Sequence, residues 1–169
     1  MTLLQPSVDL PDFWAGSGFE DKLLQAQGDF SLSAGQHSVA YLPNDETTAT
    51  GRYQVLLYDN NFGAAESYPK FDWGQLGAAV ATDYIKGTHP FGRIFTVDET
   101  VRTYELEDQT AVPFSSYVSK AQRVGNSNSM LVASGQAETF TEYDRYGRPI
   151  ATYEMEAEKY IYRVYKYDL

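Results

Sequence analysis

Apolar and polar residues alternate over much of this chain with a period of two, the pattern of β-strands with one buried face. His37 to Leu42 sets His37, Val39 and Tyr41 on one face against Ser38, Ala40 and Leu42 on the other, and Pro43-Asn44-Asp45 stops the run. Arg52 to Asp59 (Arg-Tyr-Gln-Val-Leu-Leu-Tyr-Asp) is the strongest strand signal. Asn60 to Pro90 is rich in Gly, Ala, Pro and Asn and predicts a long inserted loop, of a length that in compact domains is often functional. Met1 to Gly18 is punctuated by Pro6, Pro11, Gly16 and Gly18, which predicts an irregular segment anchored by Phe13 and Trp14. Only Phe19 to Gln27, with Phe19, Leu23 and Leu24 at helical spacing, predicts a short helix.

The second half repeats itself. Arg93 to Asp98 is followed by a tight link and Arg102 to Glu107; Thr139 to Asp144 is followed by Arg145-Tyr146-Gly147-Arg148-Pro149 and Thr152 to Glu156. The motifs Thr103-Tyr104-Glu105-Leu106-Glu107 and Thr152-Tyr153-Glu154-Met155-Glu156 stand 49 residues apart. Each copy reads as a hairpin whose first strand ends in Asp. Upstream, Val39 to Asn44 aligns with Ala121 to Asn126 at an offset of 82, each followed by a strand, Tyr53 to Tyr58 or Ser129 to Ala133.

Four antiparallel strands recurring in this way predict an all-β fold of β-propeller blades. Residues 1–36 form an irregular opening segment with a short helix. Residues 37–107 form a first blade carrying the long loop 60–90, and residues 112–169 a second blade with a closing strand at Tyr160 to Tyr167. Propellers close with about four to eight blades. Two blades are thus a fragment of a larger ring, or several chains assemble one as a homo-oligomer; three two-bladed chains would make six.

Composition agrees and narrows the chemistry. The 169 residues are 43% hydrophobic and 15% aromatic, with 14 Tyr and 9 Phe, enough for a sizeable core of strands. The net charge of −10, with scattered Lys and Arg, argues against nucleic acid and requires any anion site to be locally basic. There is no cysteine, hence no disulfide framework or thiolate chemistry. Neither a signal peptide nor a membrane span is predicted, which leaves the compartment open. With two histidines and no cysteine beside them, no metal site is expected.

Imidazole is the side chain that works as a base or nucleophile near neutrality, so His37 is the first candidate for chemistry, beside the reading that it merely caps a loop. By the 82-residue alignment Ser119 corresponds to His37 and Arg123 to Tyr41. A regular alternation would then aim Ser119 and Arg123 into one channel. Arg123 reads either as a ligand for anionic oxygens or as a blade-to-blade salt bridge. His89, before Pro90, reads as solvated or structural. Ser115 and Ser116 read as turn hydroxyls, and Asp59-Asn60-Asn61 as a turn after a strand. Tyr160, Tyr162, Tyr165 and Tyr167 form an aromatic stripe that predicts packing, and Glu154, Glu156 and Glu158 a solvated face.

A set of motifs in order carries a family resemblance: Trp14 before Gly16, Asp21-Lys22-Leu23-Leu24, Gly28-Asp29-Phe30, Gly35-Gln36-His37-Ser38, Leu57-Tyr58-Asp59-Asn60-Asn61, Phe114-Ser115-Ser116 through Ala121-Gln122-Arg123, and Tyr162-Arg163-Val164-Tyr165. This succession resembles bacterial arylsulfate sulfotransferases, covering nearly the whole chain and about the last third of the family's length. The resemblance implies a six-bladed propeller that moves a sulfuryl group from an aryl sulfate to a phenol without a cofactor, often outside the cytoplasm. It implies that His37, in its Gln-His pair, is the nucleophile and forms a sulfohistidine. The family's other histidines and its sulfuryl-binding arginine belong to earlier blades, which implies that the chain needs those blades or self-assembly to act. Two functions follow as expectations: an aryl-sulfate sulfotransferase domain, or a non-catalytic propeller fragment that serves as a binding or assembly module.

Overall fold

The computed structural model of the chain describes residues 3–4, 18, 22–31, 33, 35–42, 51–61, 89–125 and 129–167. Phe13, Trp14, Phe19 and most of the 60–90 loop lie outside them. The elements are strands β1 (Leu3–Leu4), β2 (Leu23–Gln27), β3 (His37–Leu42), β4 (Arg52–Asp59), β5 (Phe91–Asp98), β6 (Thr103–Ala111), β7 (Ser119–Val124), β8 (Ser129–Ser134), β9 (Thr139–Tyr143) and β10 (Pro149–Glu154), with a 3₁₀ turn at Gly135–Ala137. No α-helix, and hence no helix long and apolar enough to cross a membrane, occurs among the described residues.

Two sheets result, ordered β1-β2-β6-β5-β4-β3 and β10-β9-β8-β7. β3 to β6 and β7 to β10 are each an antiparallel meander of four strands. No closed barrel or propeller ring forms among the described residues. Both predicted hairpins close on their aspartates. Asp98 Oδ1 accepts the N–H of Thr100 at 2.9 Å, and Asp144 Oδ1 accepts the N–H groups of Tyr146 and Arg148, each at 2.9 Å.

The short helix is not formed. Leu23–Gln27 is instead β2, parallel to β6, with Leu24 in the core beside Phe95 and Tyr104 and Ala26 half-buried against the same cluster. Leu24 and Ala26 point inward two residues apart, and the N–H of Gln25 bonds the Arg102 carbonyl at 2.9 Å. Partners on the β6 edge, absent from any local reading, decide the period.

The core has two layers. The first lies between the sheets, where Leu56, Tyr58, Ile94 and Val112 meet Ala121, Met130, Val132 and Tyr143. Gly92 permits this approach: a Cβ there would fall 2.6 Å from the Met130 methyl carbon. The second layer, on the far face of the first sheet, gathers Leu57, Phe95, Val97 and Tyr104 under Leu24 and Phe30. Fully burying each such side chain contributes roughly 1.5–3 kcal/mol. β8 is buried along its whole length, because both of its faces are covered.

Its outer cover is the carboxyl-terminal segment. The predicted strand at Tyr160 to Tyr167 is not one, since no ladder forms there. The Gln122 side chain takes a strand's place, donating to the Lys166 carbonyl at 2.7 Å and accepting from its N–H at 3.1 Å. Lys166 pairs with Glu142 at 2.6 Å, Lys120 Nζ sits 3.6 Å over the Tyr165 ring, and Ile161 is buried. Alternating tyrosines mimic strand patterning, but Tyr160 meets Tyr117 edge-on and Tyr165 lies under Lys120, ring contacts in place of a ladder. Glu154, Glu156 and Glu158 are exposed, with only Glu154 in a strand.

Candidate functional site

β3 opens on His37, and its ladder is irregular at once. His37 pairs with Tyr58 and Ala40 with Leu56, so Ser38 and Val39 together face Leu57, a β-bulge. Ser38 takes φ +57, a left-handed conformation that costs a non-glycine residue about 1–2 kcal/mol. Its hydroxyl donates to the Ala121 carbonyl at 3.2 Å and accepts the Ala121 N–H at 3.3 Å, satisfying the edge of β7 and tying the sheets together beside His37.

The half-buried His37 ring is held at one nitrogen. Nδ1 lies 2.6 Å from Asn60 Oδ1 and 3.1 Å from the Gly35 carbonyl. Asn60, 1% exposed, has its amide orientation fixed by its other end, where Nδ2 donates to the Ser115 carbonyl at 2.5 Å and to Ser119 Oγ at 3.2 Å. A carbonyl only accepts, so the amide nitrogen must face Ser115 and the amide oxygen His37. Both Nδ1 partners are then acceptors. In the neutral imidazole the ring proton is then held on Nδ1, and Nε2 carries the in-plane lone pair.

The turn that presents Asn60 is built on a buried ion pair. Arg93 and Asp59 are both fully buried with Nη1 and Oδ2 3.0 Å apart, and Asp59 Oδ1 accepts the Asn61 N–H at 2.9 Å. Arg93 also donates to the Ser31 carbonyl and hydroxyl, each at 2.7 Å. Burial pulls its guanidinium below the ordinary value and the Asp59 charge pulls it back. Nearby, Tyr58 donates to the Pro113 carbonyl at 3.2 Å and shares a 3.1 Å hydrogen bond with Ser134; burial raises this phenol well above its usual range.

His37 and Ser119 are therefore brought together, through Asn60. Arg123 is not. It lies on the inward face of β7 with Ser119, but four strand residues, roughly 13 Å, further along. There its guanidinium donates to Gln54 of the facing sheet at 3.3 Å, a sheet-to-sheet hydrogen bond rather than a salt bridge. His89 is exposed, its carbonyl accepting from Asn61 Nδ2 at 3.2 Å. Asn60 is the residue that sequence reasoning passed over: it stands in the Leu57-to-Asn61 motif, and its partners come from distant strands. No group of three or more His, Asp or Glu that could hold a metal ion occurs among the described residues. A polar cleft of about 230 Å³ lined by Gln27, Arg52, Thr96, Asp98, Thr103 and Glu105 opens at the other end of β4, away from His37.

A protein-family model described as arylsulfotransferase (ASST) matches residues 10–165. No curated protein and no solved structure matches the chain.

Proposed function

The chain belongs to the arylsulfotransferase family, and we propose that within that chemistry His37 is the nucleophile that carries the sulfuryl group from an aryl sulfate to a phenol. The observation supporting this reading is the pairing of Nδ1 with two acceptors, Asn60 Oδ1 and the Gly35 carbonyl, which in the neutral imidazole leaves the Nε2 lone pair for attack. In the first half-reaction Nε2 bonds to sulfur, the sulfur–oxygen ester bond breaks, and the aryl oxide departs with the bonding pair. The positive charge left on the sulfohistidine ring is met by the two acceptors at Nδ1. In the second, the acceptor phenol's oxygen bonds to sulfur, its proton is released, and the nitrogen–sulfur bond returns its pair to Nε2.

Transfer of this kind depends on positioned donors around the sulfuryl oxygens. On this reading the two meanders are propeller blades, and further blades, from the same protein or from other copies, supply those donors. Light scattering coupled to size exclusion tests self-assembly: a clean monomer at all concentrations assigns the donors to further blades of the same protein.

The test of function is turnover of 4-nitrophenyl sulfate with phenol as acceptor, by wild type and His37→Ala. Loss of roughly a thousandfold or more in the variant is expected. Equal turnover by both, or no turnover at any protein concentration together with no sulfuryl adduct on His37, overturns the assignment and leaves a binding or assembly module.

A further inference from the structure

The hydrogen bonds behind His37 run in one direction. His37 Nδ1 donates to Asn60 Oδ1 at 2.6 Å, and Asn60 Nδ2 donates to Ser119 Oγ at 3.2 Å. Ser119 Oγ, with its single proton, faces Ser115 Oγ at 2.9 Å and the Tyr117 carbonyl at 3.1 Å. Ser115 Oγ donates in turn to the Tyr117 carbonyl at 2.5 Å and accepts the Gln136 N–H at 3.2 Å. Where Ser119 donates to Ser115 Oγ or to the Tyr117 carbonyl, the chain ends on the Tyr117 carbonyl, which has no proton to give. Asn60 cannot reverse without setting its amide oxygen against the Ser115 carbonyl, acceptor against acceptor, at a buried position.

His37 and Asn60 belong to the first sheet; Ser115, Tyr117 and Ser119 belong to the second sheet and its approach. We infer that Asn60, Ser119 and Ser115 are positioning residues, a one-way relay by which the second sheet holds the His37 proton on Nδ1 and so keeps Nε2 open for transfer. This deepens the sulfuryl-transfer reading and rests on it for its meaning in the reaction. It assigns Ser119 a role behind the imidazole in place of substrate contact. It also explains why Ser119 takes the strand position that His37 holds in the other meander: the register pairs His37 with Tyr58 and Ser119 with Ser134, and the two rows meet where Tyr58 touches Ser134. A chain of hydrogen bonds pointing one way strengthens each member, which makes Asn60 Oδ1 a better acceptor than an isolated amide.

The experiment is nitrogen NMR of the full chain labelled at histidine, in the absence of any sulfate donor, with His89→Ala used to assign the two rings. In wild type, His37 shows a protonated Nδ1 and a lone-pair Nε2. Asn60→Ala shifts the tautomer ratio toward Nε2–H by about fivefold, the worth of one neutral hydrogen bond. Ser119→Ala shifts it less, in the same direction. Asn60→Asp, which retains an acceptor for Nδ1, keeps Nδ1 protonated. In turnover assays the alanine variants lower kcat with little change in KM.

Wild-type His37 protonated at Nε2 overturns the proposal, as does a wild-type tautomer ratio in folded Asn60→Ala and Ser119→Ala. Should Asn60→Ala not fold, Ser119→Ala, which removes a single hydroxyl, decides alone. Because the tautomer is read without donor or acceptor, a chain that fails to turn over still tests the relay. A relay that fails leaves the His37 turnover test intact.

Discussion

Removing the Asp59 carboxylate probes the element on which the site is built. Asp59 and Arg93 are fully buried, with Nη1 and Oδ2 3.0 Å apart. At a charge separation near 4 Å, an effective dielectric of about 20 gives an attraction of about 4 kcal/mol, which offsets much of what burial costs the two ions. Asp59→Ala removes the attraction and leaves the guanidinium buried among neutral groups, the Ser31 carbonyl, Ser31 Oγ, Ser33 Oγ and the Phe91 ring. An orphaned buried charge costs about 3–5 kcal/mol. That is a large part of the roughly 5–15 kcal/mol that holds a domain folded. It corresponds to a fall in Tm of about 6–20 °C for a chain of this size.

Urea unfolding followed by intrinsic fluorescence measures the effect. Asp59→Asn, which still offers an acceptor to the Asn61 N–H, should fall between wild type and Asp59→Ala. The double variant Asp59→Ala with Arg93→Met removes both charges and should recover at least about 2 kcal/mol relative to Asp59→Ala. A loss below about 1 kcal/mol for Asp59→Ala, or a double variant less stable than the single, would refute the ion-pair argument.

Other outcomes follow from the same geometry. Gly135→Ala should cost about 3 kcal/mol or more and expose the carboxyl-terminal segment to protease, because its Cβ would lie 1.9 Å from the Val118 carbonyl oxygen and 2.2 Å from that of Ile161; wild-type proteolysis would contradict this. Burial pushes the Tyr104 phenol up to about 12, against the Arg93 charge, which pulls it down. Its contribution is therefore whole below the unfolded value near 10 and lost as pH rises toward the folded value, so its phenolate absorbance should appear late, together with alkaline unfolding. Asp98, through the Thr100 hydroxyl, and Asp144, through the Arg148 N–H, are held below the usual carboxylate range. Their support is present above about pH 4 and lost as pH falls through the lower folded values; Asp98→Asn with Asp144→Asn should flatten the acid limb of a stability profile.

Strands β3 and β4 have the limits their sequence predicts, although β4 meets a core layer on each face, Leu56 and Tyr58 on one and Leu57 on the other. The two hairpins were legible in Asp98 and Asp144, whose carboxylates make the turn from within four residues of sequence. Local pattern misled where the partner was remote. Leu23 and Leu24 match a helical stripe until β6 supplies a parallel edge, and the tyrosines of 160–167 match a strand until Gln122 takes the place of a ladder. His37 could be read from its type and its motif. Asn60 could not be given a role, since its three side-chain partners, His37, Ser115 and Ser119, come from segments 23 to 59 residues away. For Arg123 the face was legible and the distance was not, because alternation reports direction and is silent on how far along a strand two residues stand.

The most direct measurement is the capture of the sulfuryl group itself. The chain is mixed with 4-nitrophenyl sulfate without acceptor, quenched in alkali, digested and mapped by mass spectrometry, alongside His37→Ala. One sulfuryl group is expected on the peptide containing His37, absent from the variant and discharged when phenol is added before the quench. A sulfuryl group on any other residue, or sulfate transfer with His37 unmodified throughout, would contradict it.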